Sequence, residues 1–277
     1  MIVQRLELRD FRNYSEATFE LTPGVTAVVG DNGQGKTNLA EALGFLATLE
    51  SFRGVTPDAL VRMGAEQAVV RAEVLHEDGR RLLIEGEINR SGRNRIFVNR
   101  QRLLRARDLL GVLRVSVFSP DDLTLVKGGP GERRRYLDDA LVALASKYDA
   151  RRRDLERILK QRNTLLKQAG GRLTPEIAVT LDVWDAKLAE VGDDLGTARA
   201  DLVANLGCRL RSAYDALAPA PTPIELIYAP EWRRGPGLAA ALAAGRADDV
   251  RRQISLIGPH RDDLVLTING LPARTHA

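Results

Sequence analysis

The apolar positions change period along the chain, and each change predicts a different element. In "IVQRLELRDF" Ile2, Leu6 and Leu8 fall on one face and Arg5, Glu7 and Arg9 on the other, the period of a half-buried strand. Only Gln4 interrupts it. "VTAVVG", Val25 to Gly30, is instead apolar at consecutive positions, which predicts a strand covered on both faces. From Thr37 onward Leu39, Ala42, Leu43, Leu46 and Leu49 recur three and four apart, which predicts an amphipathic helix. Across residues 68–98 the pattern alternates again. "AVVRAEVL" and "RRLLIEGEI" are joined through Glu77, Asp78 and Gly79, and "NRSG" turns the chain into "NRIFVN", so a small antiparallel meander is expected.

From about Glu132 the period becomes helical over a long span. Ile177, Leu181, Trp184, Leu188, Val191, Leu195, Ala198 and Leu202 alternate steps of four and three, a heptad seam. Leu137, Leu141, Leu144, Tyr148, Leu155, Ile158 and Leu165 keep the same rhythm, with Arg151 and Arg162 breaking it. Between the two runs "AGGRLTP" supplies glycines to end one helix, Thr174 as a cap and Pro175 at the first position of the next. An antiparallel helical hairpin over about 132–168 and 175–217 is the simplest outcome. "APAPTP" stops the second helix near Pro219, "IELIYAP" reads as a strand, and Leu238 to Gln253 as a short helix. Leu264 to Ile268 is a further strand ending at Asn269-Gly270, a hairpin-turn pair.

Between the apolar run and the first helix lies "GDNGQGKTN". Gly30, Gly35, Lys36 and Thr37 satisfy G-x-x-x-x-G-K-[ST], the phosphate-binding loop. Gly30, Gly33 and Gly35 let the backbone turn tightly and bring its amides to phosphate oxygens without a Cβ in the way. Those amides and the helix N-terminus make an anion site, Lys36 reaches the outer phosphates, and the Thr37 hydroxyl can take a magnesium ion. The loop does not disclose a reaction, because phosphoryl transfer also needs a carboxylate to hold the metal and a group to position the nucleophile. No four-residue apolar run closes on paired acids. "FSPDD", with Asp121 and Asp122, is nearest, and Pro120 intervenes.

"LELRDFRNY", "GDNGQGKTNLAEAL", "SFRG", "FSPDDLTLVKGGPGERRRYLD", "LKQRNTLLKQ" and "GPHRDDL" together resemble the RecF family of bacterial recombination mediators, over essentially the whole chain. The resemblance implies an α/β fold: a P-loop NTPase head of the ABC/SMC type, with an antiparallel β meander and an inserted antiparallel helical hairpin arm. It implies an ATP-binding lobe over 1–118, a mainly helical arm over 119–253, and a strand over 254–277 returning toward the head. ATP with Mg2+, an ATP-dependent homodimer, weak DNA-stimulated ATPase activity, DNA at gaps or single-strand to duplex junctions, and RecR with RecO in loading RecA are the implied cofactors, activity and partners. Carried over by position, Gly30, Asp31, Asn32, Gly33, Gln34, Gly35, Lys36, Thr37 and Asn38 contact the phosphates, Thr37 meets the metal, and Arg12 and Asn13 approach the nucleotide. Such heads continue past a stretch like "LPARTHA" into an S-x-G-E signature loop and an apolar strand ending in paired acids. Those motifs are not in this sequence, so the remainder of the head is expected to lie outside it and ATP to be hydrolysed poorly.

Charge adds a second candidate surface. The chain carries 41 Lys plus Arg against 37 Asp plus Glu, a mild surplus that matters only where it is concentrated. Between Arg80 and Arg107 stand nine arginines (80, 81, 90, 93, 95, 100, 102, 105 and 107) against Glu85 and Glu87. Arg80, Arg81, Arg90, Arg93, Arg95, Arg100 and Arg102, on strands and hairpin tips, are candidate DNA contacts that would meet phosphates without reading bases. The surplus of base on Lys147–Arg172 faces a surplus of acid on Glu176–Asp201, which sets helix pairing instead. Cys208, at helical spacing among Leu202, Leu206 and Leu210, is expected to be a small packing residue. His260, without a nucleophile or metal-ligand partner at useful spacing, is expected to stabilise its loop, and Asp262 and Asp263 to cap the turn that follows. No signal-like start or membrane-length apolar run is present, so a soluble cytoplasmic protein is expected. A small-molecule kinase, or an adaptor whose P-loop binds nucleotide without switching, remain the alternatives to an ATP-switched DNA-binding protein.

Overall fold

The computed structural model describes residues 1–218, 220, 222–228 and 230–276, in two compact units, Met1–Phe118 and Ser119–Ala277. In the first unit β1 (Ile2–Phe11) and β2 (Tyr14–Glu20) form a hairpin, followed by helix α1 (Lys36–Thr48). Then come β3 (Gln67–Leu75), β4 (Arg81–Asn89), β5 (Arg95–Val98) and β6 (Gln101–Arg102). The six strands make one antiparallel sheet in the order β2-β1-β3-β4-β5-β6. Period two decides its faces. Leu6, Leu8, Val70, Ala72, Ile84, Ile88 and Ile96 point inward and share one apolar core with Leu39, Ala42, Phe45 and Leu46 of α1. Helix and sheet approach closely at Gly86, where an added Cβ would lie 3.1 Å from Leu46 Cδ2. The interruption at Gln4 is a register shift between Val3 and Arg5, a β-bulge.

The opposite face of the sheet is polar and largely self-neutralised. Arg71 pairs with Glu7 at 3.7 Å and with Glu85 across the neighbouring strand, and Arg95 lies 3.4 Å from Glu87. The strand expected at Val25–Gly30 does not form. The segment is irregular, with Val25 fully and Val29 88% exposed. A consecutive apolar run becomes a strand only between neighbours that pair its backbone and cover both faces, and among the described residues no strand pairs with it.

The second unit begins with a short turn of helix, α2 (Thr124–Lys127), then α3 (Pro130–Leu144), α4 (Lys147–Gln168) and α5 (Pro175–Leu217). The first helical run of the hairpin is therefore two helices. Ala145 adopts an extended conformation (φ −153°, ψ 117°) that ends α3, and Leu144 leaves the seam for solvent. Thr174 caps α5 by accepting from the Ile177 amide, with Pro175 at the first position. Leu181, Leu188, Val191, Leu195, Ala198 and Leu202 are buried along α5. Pro219 and Pro221 lie outside the described residues. β7 (Ile224–Ile227), α6 (Glu231–Arg234), α7 (Leu238–Arg252), β8 (Val265–Ile268), β9 (Leu271–Pro272) and α8 (Ala273–His276) complete the unit. Strands β7, β8 and β9 form an antiparallel sheet whose β8–β9 turn has positive φ at Asn269 and Gly270.

Cys208 is exposed, not packed, because at two residues past Leu206 it projects roughly opposite the seam. Arg162, which interrupts the apolar rhythm, is fully buried and ion-paired with Asp185 and Asp249, each at 2.7 Å. Complementary charge does link the two long helices, through Arg151 to Asp194 at 2.8 Å.

Candidate functional site

Three glycines shape the loop before α1. Gly30, Gly33 and Gly35 hold φ of 150°, 83° and 100°, which side chains rarely adopt. The loop delivers a row of backbone amides, from Gly33 to Thr37, that have no acceptor among the described residues. Four such orphans belong to any helix start, and here the positive end of α1 lies behind them. Lys36 Nζ lies across the loop and donates to the carbonyls of Gly30 at 2.7 Å and Asp31 at 2.8 Å. Thr37 is exposed at the first turn, while Asn38 is tied by its side chain.

The β1–β2 hairpin braces this loop from the side. Asn13 Nδ2 donates to the Gln34 carbonyl at 3.0 Å, its Oδ1 accepts from Asn38 Nδ2 at 2.8 Å, and the Tyr14 hydroxyl donates to the Gly35 carbonyl at 3.1 Å. An added Cβ on Gly35 would stand 2.5 Å from Asn13 Oδ1, so this position needs glycine for room as well as for φ. Arg12, one residue earlier, also has a left-handed backbone (φ 54°). Its amide donates to the Leu60 carbonyl at 2.7 Å and its Nη1 to the Ala59 carbonyl at 3.0 Å.

Beneath the hairpin tip lies a charge that sequence reasoning missed. Glu41, on α1, is fully buried and accepts from Arg12 Nε at 2.8 Å and Nη2 at 2.7 Å. Ser51 Oγ donates to the same carboxylate, and Arg53 Nη1 lies 3.7 Å away while donating to Asn38 Oδ1 at 3.0 Å. Burial pushes the Glu41 carboxyl up, but the bonds from Arg12 and Ser51 and the charges of Arg12 and Arg53 outweigh it and hold it below the ordinary carboxylate value. The only sequence signal was a glutamate among the apolar positions of an otherwise core-facing helix.

The seven candidate DNA arginines fall into different settings. Arg80 bonds Asp78, Arg95 is near Glu87, and Arg90 is spent on the carbonyls of Val61, Arg62 and Ala65. Arg81, Arg93, Arg100 and Arg102 are exposed, with no ion pair among the described residues. The antiparallel register puts Arg81 and the β5–β6 turn bearing Arg100 toward one end of the sheet, and Arg93 at the other.

In the second unit the stretches "ERRRY" and "GPHRDD" meet. Arg133 grips Asp263 with two bonds of 2.7 and 3.0 Å, and Arg134 donates to the Asp262 carbonyl at 2.7 Å. Arg199 pairs with Asp138 through two 2.8 Å bonds and donates to the Pro259 carbonyl at 2.8 Å. Asp263 accepts from the Leu264 amide next to it, whereas Asp262 takes bonds from the Tyr228 hydroxyl and Trp232 indole. His260 Nε2 lies 3.0 Å from the Ser255 carbonyl, and burial pushes its imidazole down to about 4. These ion pairs and hydrogen bonds tie the two stretches together.

The family model described as the RecF/RecN/SMC N terminal domain matches residues 2–229. The DNA replication and repair protein RecF of Streptomyces avermitilis is 47% identical across the whole chain, and that of Kineococcus radiotolerans 46%. The chain spans 77% and 76% of their respective lengths. Among solved structures, that of the recombination mediator protein RecF-ATP in the RecFOR pathway superposes with a TM-score of 0.89 at 28% identity, covering 99% of this chain and 75% of that one. The Smc head domain of Pyrococcus furiosus shares the fold, with a TM-score of 0.52 at 19% identity. A P-loop head braced by a β hairpin and followed by a helical arm, with such relatives along its whole length, places the chain in the RecF family.

Proposed function

We propose that this chain is the nucleotide-binding and arm portion of a recombination mediator in which bound ATP switches self-association and DNA binding. The observation that carries the reading is the row of amides from Gly33 to Thr37 that have no acceptor among the described residues, at the positive end of α1 and beside Lys36. Such a cradle suits a triphosphate, whose oxygens would replace the loop carbonyls as partners of the Lys36 ammonium. Residues Gly30 to Asn38 line the phosphates in this proposal, with Arg12 and Asn13 at the side. Thr37 is the group that would hold Mg2+, which when bound neutralises charge between the outer phosphates.

DNA would be met through phosphates. Arg81, Arg93, Arg100 and Arg102, exposed and without an ion pair among the described residues, are better placed for this than Arg90 or Arg95, and contacts of this type are insensitive to sequence and weaken with salt. That suits gapped or junction DNA, with RecR and RecO as the partners through which RecA is loaded. Among the described residues no helix is long and apolar enough to cross a membrane, and the proposed setting is the cytoplasm, where the chromosome lies.

ATP titration and sedimentation velocity, with and without gapped duplex, test the proposal beside Lys36→Met. The full-length protein should bind ATP, self-associate more strongly with it and hold DNA more tightly, and Lys36→Met in the same full-length protein should lose all three. ATP binding that is absent, or indifferent to Lys36→Met, would reject it.

A further inference from the structure

We propose that Glu41 is a positioning residue: by gripping Arg12 from inside α1 it sets the Arg12–Asn13 hairpin tip against the P-loop and thereby fixes the affinity of the cradle for a nucleoside triphosphate. The inference rests on the nucleotide-binding reading above and assigns a fully buried residue outside the loop.

A carboxylate in a protein core is costly unless it is paired and fully hydrogen-bonded. Glu41 satisfies that condition with a two-pronged bond to Arg12 and a third bond from Ser51. Packing alone would be met by leucine, since neighbouring positions 39, 42, 45 and 46 of the helix are apolar and buried. What glutamate adds is a fixed address for one guanidinium.

That guanidinium belongs to a backbone under strain. Asp10 and Arg12 have φ of 48° and 54°, in the left-handed region that costs a residue with a Cβ free energy and persists where surrounding contacts over-determine it. The contacts that hold Arg12 there are its amide to Leu60, its Nη1 to Ala59, and the pair of bonds to Glu41. Asn13 follows directly and carries the bonds to Gln34 and Asn38 that brace the loop. Position is thus passed from Glu41 to Arg12, from Arg12 to Asn13, and from Asn13 to the amides that would meet phosphate.

The test is a double-mutant cycle on ATP affinity, read beside the thermal midpoint of each variant. Glu41→Gln and Arg12→Gln should each weaken ATP about tenfold, the size expected for losing a charged hydrogen-bonded pair. The double variant should be no weaker than the worse single one, because both act through the same contact. Glu41→Asp, too short to hold both prongs, should fall between wild type and Glu41→Gln. Ser51→Ala keeps both charges and should weaken ATP about twofold to threefold; it carries the test by itself if Glu41→Gln does not fold. Wild-type ATP affinity in a folded Glu41→Gln or in Ser51→Ala, or effects that multiply in the double variant, overturns the proposal and leaves Glu41 a stabilising staple. Wild-type protein that binds ATP no better than Lys36→Met would instead reject the nucleotide site itself.

Discussion

Replacing Arg162 by methionine removes the charge from the centre of the second unit while retaining most of the side-chain volume. Arg162 Nε donates to Asp185 Oδ1 at 2.7 Å and Nη1 to Ser255 Oγ at 2.8 Å, and Nη1 lies 2.7 Å from Asp249 Oδ2. It therefore joins α4, α5 and α7 at one point. Asp185 would keep Arg246, which approaches it at 2.7 Å, but fully buried Asp249 would keep, among the described residues, only the Leu256 amide at 2.9 Å. Breaking a buried pair from one side costs about 3–5 kcal/mol, because the other charge is stranded away from water. For a unit of this size that lowers the midpoint by about 6–20 °C. Urea and thermal unfolding followed by far-ultraviolet circular dichroism reports the loss, since the long helices lie in this unit. Arg162→Met/Asp249→Leu, which removes both charges, should recover most of the stability. A loss below about 1 kcal/mol in Arg162→Met, or a double variant as unstable as the sum of the two single ones, would refute the assignment of this pair as buried and coupled.

His260 has a folded value of about 4, below the usual 6.5, so as pH falls the unfolded chain takes up its proton first; the stability this provides is fully present above pH 6.5 and is lost as pH falls toward 4. Unfolding free energy should drop by about 1 kcal/mol between pH 7.5 and 5.5, and His260→Gln should remove that part of the slope in pH-dependent urea melts. Gly35→Ala should weaken ATP by about tenfold or more in a binding titration, since its Cβ would displace the Asn13 amide that braces the loop. Gly64→Ala carries the same kind of backbone strain (φ 85°) with nothing within 4 Å of the added Cβ, and should lose about 1–2 kcal/mol of stability with ATP affinity unchanged.

Features that depend on a few adjacent residues were legible in advance. The P-loop glycines, the Thr174–Pro175 start of α5 and the Asn269-Gly270 turn are each set by local backbone preference. The α5 seam was legible for the same reason, because a repeat of three and four shows its buried face without knowledge of the partner. The meeting of "ERRRY" with "GPHRDD" was not, although both strings stood out, since more than a hundred residues separate Arg133 from Asp263. β2, whose pattern of burial is weak, owes its strand to pairing with β1.

By itself, then, the sequence determined where the chain turns, which faces are apolar, and that a phosphate-binding loop opens the first helix. Tertiary structure decided which polar groups find partners. It committed Arg90 to three carbonyls while Arg100 stayed exposed, gave Val25–Gly30 no neighbouring strand among the described residues, turned Cys208 to solvent, and made Glu41 a buried anchor for Arg12. The physical reason is range: conformational preference acts over three or four residues, whereas solvation of a charge or pairing of a strand edge depends on whatever the fold brings alongside from elsewhere in the chain.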